Sequence, residues 1–186
     1  MTHPIETFGS DRLIGDRLRP QHFNELCRLY QDPKVMATLS ADGNIVPEEE
    51  VQKRLQQFLE HWNRYGFGVW MFRDKVNKQF VGRGGLKHSH VGGNDEVELL
   101  YTVISEHWGK GLATEMAEVI LTVAFEQLGL ADVVCFTLTT NKASQRVMEK
   151  VGFQYERDIL YVGLPHVFYR LTASEWQSDR VAGQHN

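Results

Sequence analysis

Cysteine, proline and long apolar runs are all scarce in this chain of 186 residues, which has two cysteines and five prolines. Cys27 and Cys135 both sit inside apolar-periodic segments, where a reduced thiol behaves as a small hydrophobe, so a disulfide scaffold is excluded. No stretch approaches the roughly 20 apolar residues of a membrane-spanning helix. The opening segment MTHPIETFGSDR lacks the basic-then-apolar order of a signal peptide, so a cytoplasmic protein with no membrane partner is expected. Charge of one sign is missing too. The 20 Lys and Arg and 24 Asp and Glu are interspersed with a net charge of −4, which offers no basic surface for direct nucleic-acid binding. Neither a repeat nor a low-complexity tract occurs. What is present, 42% hydrophobic residues, suffices for one core, so a single domain over about residues 11–176 is expected, with a polar, frayed tail from Gln177 to Asn186.

Hydrophobic periodicity divides the chain into helices and strands. Asp11 to Arg19 fits a first strand, after which Pro20 opens a helix with Phe23, Leu26, Cys27 and Tyr30 at helical spacing. Asp32 before Pro33 predicts an N-cap and first turn of a short helix that ends before the polar loop Ser40 to Asn44. Pro47 with Glu48, Glu49 and Glu50 starts another helix; Val51, Leu55, Phe58, Leu59 and Trp62 share its apolar face and Gly66 stops it. From Phe67 the period drops to two. Phe67 to Phe72, Phe80 to Leu86 and Glu96 to Ile104 read as strands, and short links at Asn77 and Gly92-Gly93-Asn94 predict antiparallel pairing.

A helix from about Lys110 to Leu128 follows, with Leu112, Met116, Ile120, Val123 and Gln127 on one stripe and Glu115, Glu118, Thr122 and Glu126 opposite. Val133 to Leu138 is a strand reached through that helix, the passage that makes a parallel pair. Asn141 to Val151 is a further helix, closed by a left-handed cap at Gly152 with Phe153 as apolar follower. Strands near Tyr155 to Val162 and Val167 to Thr172 complete a mixed α/β sheet.

The most informative segment is Glu96 to Glu118, EVELLYTVISEHWGKGLATEMAE, where a strand runs into a glycine-bearing turn that opens a helix. The first helical N–H groups have no intrahelical partner and carry the positive end of the peptide dipoles, so a phosphate or pyrophosphate is stabilised there. Gly109 and Gly111 let the backbone approach its oxygens, and Lys110 adds a mobile positive charge. In isolation, Gly-Lys-Gly would be only a flexible turn. The segment matches neither GxxxxGK[ST] nor GxGxxG, which disfavours ATP and NAD.

Trp108-Gly109-Lys110-Gly111-Leu112-Ala113 resembles the motif [QR]xxGx[GA] of the GNAT superfamily of N-acetyltransferases, departing from it at the first position. Tryptophan there, in WGKGLATE, is similar to the branch of the ribosomal-protein N-terminal acetyltransferases. NKASQRVMEKVGF, Asn141 to Phe153, resembles that branch's NxxSxxVxEKxGF segment. The resemblance implies the GNAT fold: a mixed, mostly antiparallel sheet with a central splayed parallel pair, flanked by helices. It also implies acetyl-CoA as cosubstrate, no metal, and cofactor contacts at Val103, Ile104, Trp108, Gly109, Lys110, Gly111, Leu112, Ala113, Thr114, Asn141 and Ser144. The peptide-like pantetheine arm is expected along the freed edge near Val103 and Ile104, as an added strand would lie.

The implied reaction needs a neutral amine. A lysine with pKa about 10.4 is neutral in about one molecule per thousand at pH 7.4, whereas an α-amine with pKa about 8 is neutral in roughly a fifth. Glu98 and then Glu96 are the candidate bases, because strand alternation puts both on one face; equally, such glutamates mark any half-exposed strand, and a water can relay the proton. Ser144 can offer a hydroxyl to the sulfur and Asn141 an amide, although both also suit helix capping. Met148 stands where many family members place a tyrosine acid, yet a thiol with pKa near about 8.5 leaves tolerably as the thiolate. His88 and His90 lack a metal-ligand set and read as rim residues, and Trp62, Tyr65, Phe67 and Trp70 are weighed between core and acceptor-pocket wall. The acceptor is expected to be a peptide or protein N-terminal α-amine or a small amine; the alternative is a non-catalytic acyl-CoA-binding sensor. Exposed strand edges leave room for a homodimer.

Overall fold

A computed structural model describes residues 5–40 and 42–183. The chain begins with a hairpin, β1 (Thr7–Gly9) and β2 (Leu13–Arg17). Only β2 lies in the expected span, because β1 is too short for its alternation to be read. A 3-10 turn at Pro20–His22 leads into α1 (Phe23–Tyr30), which buries Leu26, Cys27 and Tyr30. In α2 (Pro33–Leu39) the cap is as expected: the Asp32 carboxylate accepts from the N–H groups of Lys34 at 2.9 Å and Val35 at 3.4 Å. Helix α3 (Glu48–Tyr65) buries Val51, Leu55 and Trp62 and stops at Gly66, whose φ of 74° is the left-handed cap that favours glycine.

Three antiparallel strands follow, β3 (Val69–Asp74), β4 (Phe80–Val91) and β5 (Asn94–Val103). Helix α4 (Leu112–Thr122) then crosses the sheet over Gly84, where an added Cβ would stand 2.8 Å from Met116 and Ile120 side-chain atoms. At Val123–Gln127 the helix widens into a π-turn, closed by Leu128 N–H on the Val123 carbonyl at 2.9 Å. The wider turn shifts the phase: Val123, Ala124 and Phe125 are buried in succession, and Gln127, expected on the apolar stripe, is exposed.

The remaining elements are β6 (Asp132–Leu138), α5 (Lys142–Lys150), β7 (Gln154–Tyr161), β8 (Leu164–Thr172) and α6 (Ala173–Gly183). The tail expected to fray from Gln177 instead continues α6 through Gly183; residues 184–186 lie outside the described residues, as do residues 1–4 and Ala41 of the Ser40–Asn44 loop.

The eight strands form one sheet in the order β1-β2-β3-β4-β5-β6-β8-β7, antiparallel throughout except for the parallel pair β5–β6. In that pair Glu98 and Val134 alone are in register. Beyond them the strands separate, and the backbone edge from Leu99 to Val103 faces a gap. Among the described residues no helix is long and apolar enough to cross a membrane.

Candidate active site

The gap between β5 and β6 widens into a cleft of about 520 Å³. Its mouth is built from backbone. After β5 the chain makes a short turn at Ser105–His107, and Gly109 and Gly111 then take φ values of 73° and 75°, a region that L side chains rarely adopt. A Cβ at Gly109 would meet nothing within 4 Å, so the space above this peptide is open. Gly111 caps α4, and its carbonyl accepts from Glu115 N–H at 3.1 Å. The N–H groups of Leu112, Ala113 and Thr114 are thus left without intrahelical acceptors, and all three residues line the cleft.

Side chains clasp this turn: Ser105 N–H donates to the Asp32 carboxylate at 3.1 Å and Arg28 pairs with Glu106 at 2.8 Å just before the glycines, and two further clasps hold the glycines themselves. Trp108 Nε1 donates to the Val103 carbonyl at 2.8 Å, folding the turn back on the strand it leaves. From the loop between β1 and β2, Arg12 Nη1 donates to the Lys110 carbonyl at 2.9 Å while its Nε pairs with Glu115 at 2.6 Å. Ser10 Oγ and the Arg12 N–H also donate to Glu115, at 2.6 and 2.7 Å. Partial burial opposes ionisation of Glu115, but the hydrogen bonds from Ser10 and Arg12 outweigh it and hold the carboxyl below its ordinary pKa. Glu115, expected simply on the polar face of α4, therefore joins the N-terminal hairpin to the glycine turn.

Deeper in, the walls are side chains. Glu98 borders the cleft half-buried, its Oε2 accepting from Ser89 Oγ at 2.6 Å. Burial raises its pKa against the opposing influence of Ser89, Lys87, Arg83 and His166. Tyr101 stands across the gap, with its Oη 2.9 Å from Ser144 Oγ and donating to the Ser144 carbonyl at 3.1 Å. Burial drives its pKa well above the ordinary phenol value, so it stays protonated at neutral pH. Thr38 and Leu39 of α2, Arg83 of β4, Phe136 of β6, Asn141 at the N-cap of α5 and Ser144 within it also line the walls.

Several expected contacts are corrected. Glu96 does not reach the cleft: Arg170 takes its carboxylate at 2.8 Å and also pairs with Asp132 at 2.6 Å and Glu156 at 2.8 Å. Lys110 folds its amine back to the Glu106 carbonyl at 3.2 Å, away from the cleft lining. Ile104 is buried and its N–H donates to the Val81 carbonyl at 2.9 Å, while the Val103 carbonyl is taken by Trp108, so the available edge runs higher along β5 than expected. Both ends of the Asn141 amide are in use, Oδ1 accepting from Ser144 N–H at 3.1 Å and Nδ2 donating to the Thr38 carbonyl at 3.3 Å. Met148 is fully buried, and Trp62, Tyr65, Phe67 and Trp70 lie outside the cleft; the two indoles are core, donating to the Val69 and Ile5 carbonyls. His90 forms an exposed pair with Asp95 at 2.8 Å.

Tyr101 and Arg83 went unread in the sequence. The only signal for Arg83 is a cation inside the otherwise uncharged strand FVGRGGL, and Tyr101 looks like any strand aromatic until α5 is laid across it.

An open, mostly antiparallel sheet whose one parallel pair splays beside a glycine-capped helix N-terminus defines an acyl-CoA N-acyltransferase fold. The chain belongs to the GNAT acetyltransferase family: the acetyltransferase (GNAT) domain model matches residues 12–154. It is similar to the FsC-acetyl coenzyme A-N(2)-transacetylase of Aspergillus fumigatus, 28% identical over 184 residues covering 91% of this chain and 77% of that one. Among solved structures, the ribosomal-protein-S5-alanine acetyltransferase of Vibrio fischeri superposes with a TM-score of 0.72 at 16% identity, covering 91% of this chain and 98% of that one. RimL, a ribosomal L7/L12 alpha-N-protein acetyltransferase solved in complex with coenzyme A, also gives 0.72 at 16% identity, over 90% and 98% of the two chains. This protein is therefore a GNAT acetyltransferase, a family that transfers acetyl groups to amines.

Proposed function

We propose that the chain is a single catalytic domain that moves the acetyl group of acetyl-CoA to a primary amine, either the α-amine of a peptide N-terminus or a small-molecule amine, with Glu98 as base. The observation that carries this reading is the position of Glu98, a half-buried carboxyl of raised pKa on the same cleft as the open glycine turn. The open space above Gly109 and the unpaired amides of Leu112 to Thr114 fit a pyrophosphate, and the Leu99 to Val103 edge fits a peptide-like arm. When bound, the cosubstrate supplies an activated acyl carbon.

The chain's own groups do the rest. Glu98 accepts a proton from the ammonium, directly or through a water, and the freed nitrogen lone pair forms the N–C bond. The C–S bond then breaks, and its electron pair leaves on sulfur as a thiolate. Ser144, oriented by Tyr101, offers that sulfur a hydrogen bond. As the C–S bond breaks, the acylated nitrogen gives its second proton to solvent; Tyr101 itself is too weak an acid to protonate the thiolate, which takes a proton from solvent, and Glu98 releases its own, so that one proton is set free per amide formed. The neutral fraction of an α-amine makes such a modest base sufficient.

Calorimetric titration with acetyl-CoA, CoA and ATP, followed by thiol release against peptide and small-amine panels, tests the reading. Expected are micromolar acetyl-CoA binding, no ATP binding and acceptor-dependent thiol release. Binding without release from any amine overturns it.

A further inference from the structure

The cleft wall holds a charge that the mechanism above does not use. Arg83, in the middle of β4, is only 8% exposed. Its Nε donates to Tyr30 Oη at 3.0 Å, and its guanidinium carbon lies 5.4 and 5.6 Å from the centres of the Tyr30 and Phe58 rings. Nη1 is enclosed without a hydrogen-bond partner, and among the described residues no carboxylate stands within ion-pair distance of the group. Other partly buried arginines in this fold do find acids, Arg73 with Glu25 and Arg170 with Glu96. A buried cation without an ion-pair partner is strongly unfavourable, and Glu98, on which Arg83 acts only at longer range, does not make that pair, so its retention here calls for a partner that arrives from outside.

The register says where that partner would lie. Arg83 is opposite Thr102 and Lys87 opposite Glu98, so Arg83, Lys87 and Glu98 share one face of the sheet. Because β5 lies between the β4 backbone and the gap, it is the side chain of Arg83 that borders the cleft, which Thr38 and Leu39 of α2 also line. Thr102 and Glu98 are four residues apart, roughly 13 Å along the strand. An acceptor reaching from Glu98 towards Arg83 would therefore present its amine at one end and an anion further back.

We propose that Arg83 receives a carboxylate carried by the amine acceptor, so that the substrate class is an amino acid with its acid set back from the nitrogen. The planar guanidinium matches the two oxygens of a carboxylate, and a single cation walled by two aromatic rings suits a monoanion better than a phosphate dianion. The proposal rests on the acetyl-transfer reading, and its test separates the two.

Glycine, 4-aminobutyrate and 6-aminohexanoate are compared with methylamine, propylamine and pentylamine, which lack only the carboxylate, and with O-phosphoethanolamine. Thiol release is measured with acetyl-CoA, and binding to CoA-loaded protein by calorimetry. At the length that spans the two groups the carboxylate raises kcat/KM by about tenfold or more, mainly through KM. Arg83→Met abolishes the preference and Arg83→Lys retains part of it, while acetyl-CoA titration of each variant reports an intact fold. Equal use of acids and alkylamines by the wild type overturns the proposal whatever the variants do. So does preference for the phosphate, or a preference that survives Arg83→Met. If acetyl-CoA binds but no amine is acetylated, the transfer reading fails, and the calorimetric comparison of amino acid with alkylamine still decides the role of Arg83.

Discussion

The two ends of the cleft are made differently. At the mouth, the lining is built from backbone: two left-handed glycines and the first N–H groups of α4, within a few consecutive residues. In the interior it is built from side chains of β4, β5 and α5, which meet only because the sheet and helix bring them together. A backbone site needs a conformation, and glycine declares the conformation in the sequence. A side-chain site needs neighbours, and neighbours are not declared.

Substitutions at the two ends should therefore fail in different ways. The largest effect is expected at the mouth. Gly111→Asp adds left-handed strain and a carboxylate at the N-cap of α4, beside Arg12, where it competes with a pyrophosphate for the free amides, so acetyl-CoA affinity should fall beyond detection in a calorimetric titration. Gly111→Ala separates the two causes, because it adds only the strain, about 1–2 kcal/mol. Unchanged affinity in the aspartate variant would remove the glycine turn from the cofactor site.

Next comes the interior carboxylate. Glu98→Gln should leave acetyl-CoA affinity intact and lower kcat/KM by about 100-fold or more at low pH. Burial raises the Glu98 pKa, so wild-type activity should climb with pH as that group loses its proton, and the glutamine variant should lack this limb. The deficit should shrink above pH 8 and be larger for lysine-type than for α-amine acceptors. A loss equal at every pH would make Glu98 a positioning group.

The smallest effect is expected at Tyr101→Phe, which frees Ser144 Oγ from its 2.9 Å partner. A fall of about two- to tenfold in kcat with KM for acetyl-CoA unchanged is expected from stopped-flow thiol release. A large rise in KM would instead place Tyr101 with the cofactor contacts, blurring the division between the two ends.

The same division explains what was legible. The Asp32 cap, the Gly66 stop and the parallel passage through α4 were all readable, because each depends on a local residue pattern. So was the glycine turn. Glu96 and Glu98 looked equivalent because alternation puts them on one face, and only the approach of Arg170 from β8 separates the paired glutamate from the available one. The amine of Lys110, expected on the ligand, instead finds the Glu106 carbonyl within its own turn. Gln127 went astray because a π-turn shifts helical phase with no marker residue.

The Arg12 to Glu115 clasp bridges residues 103 positions apart in the chain. It means that the enzyme is not two exchangeable modules, one for each reactant. A chimera that borrows the N-terminal helices of another family member, with its junction ahead of Ser10, would import a foreign latch for the glycine turn along with the new helices. Junctions placed after Arg19 and before Phe67 would keep that clasp but cut two others, Ser105 N–H on Asp32 at 3.1 Å and Arg28 with Glu106 at 2.8 Å, so the N-terminal helices and the turn must be exchanged together or not at all.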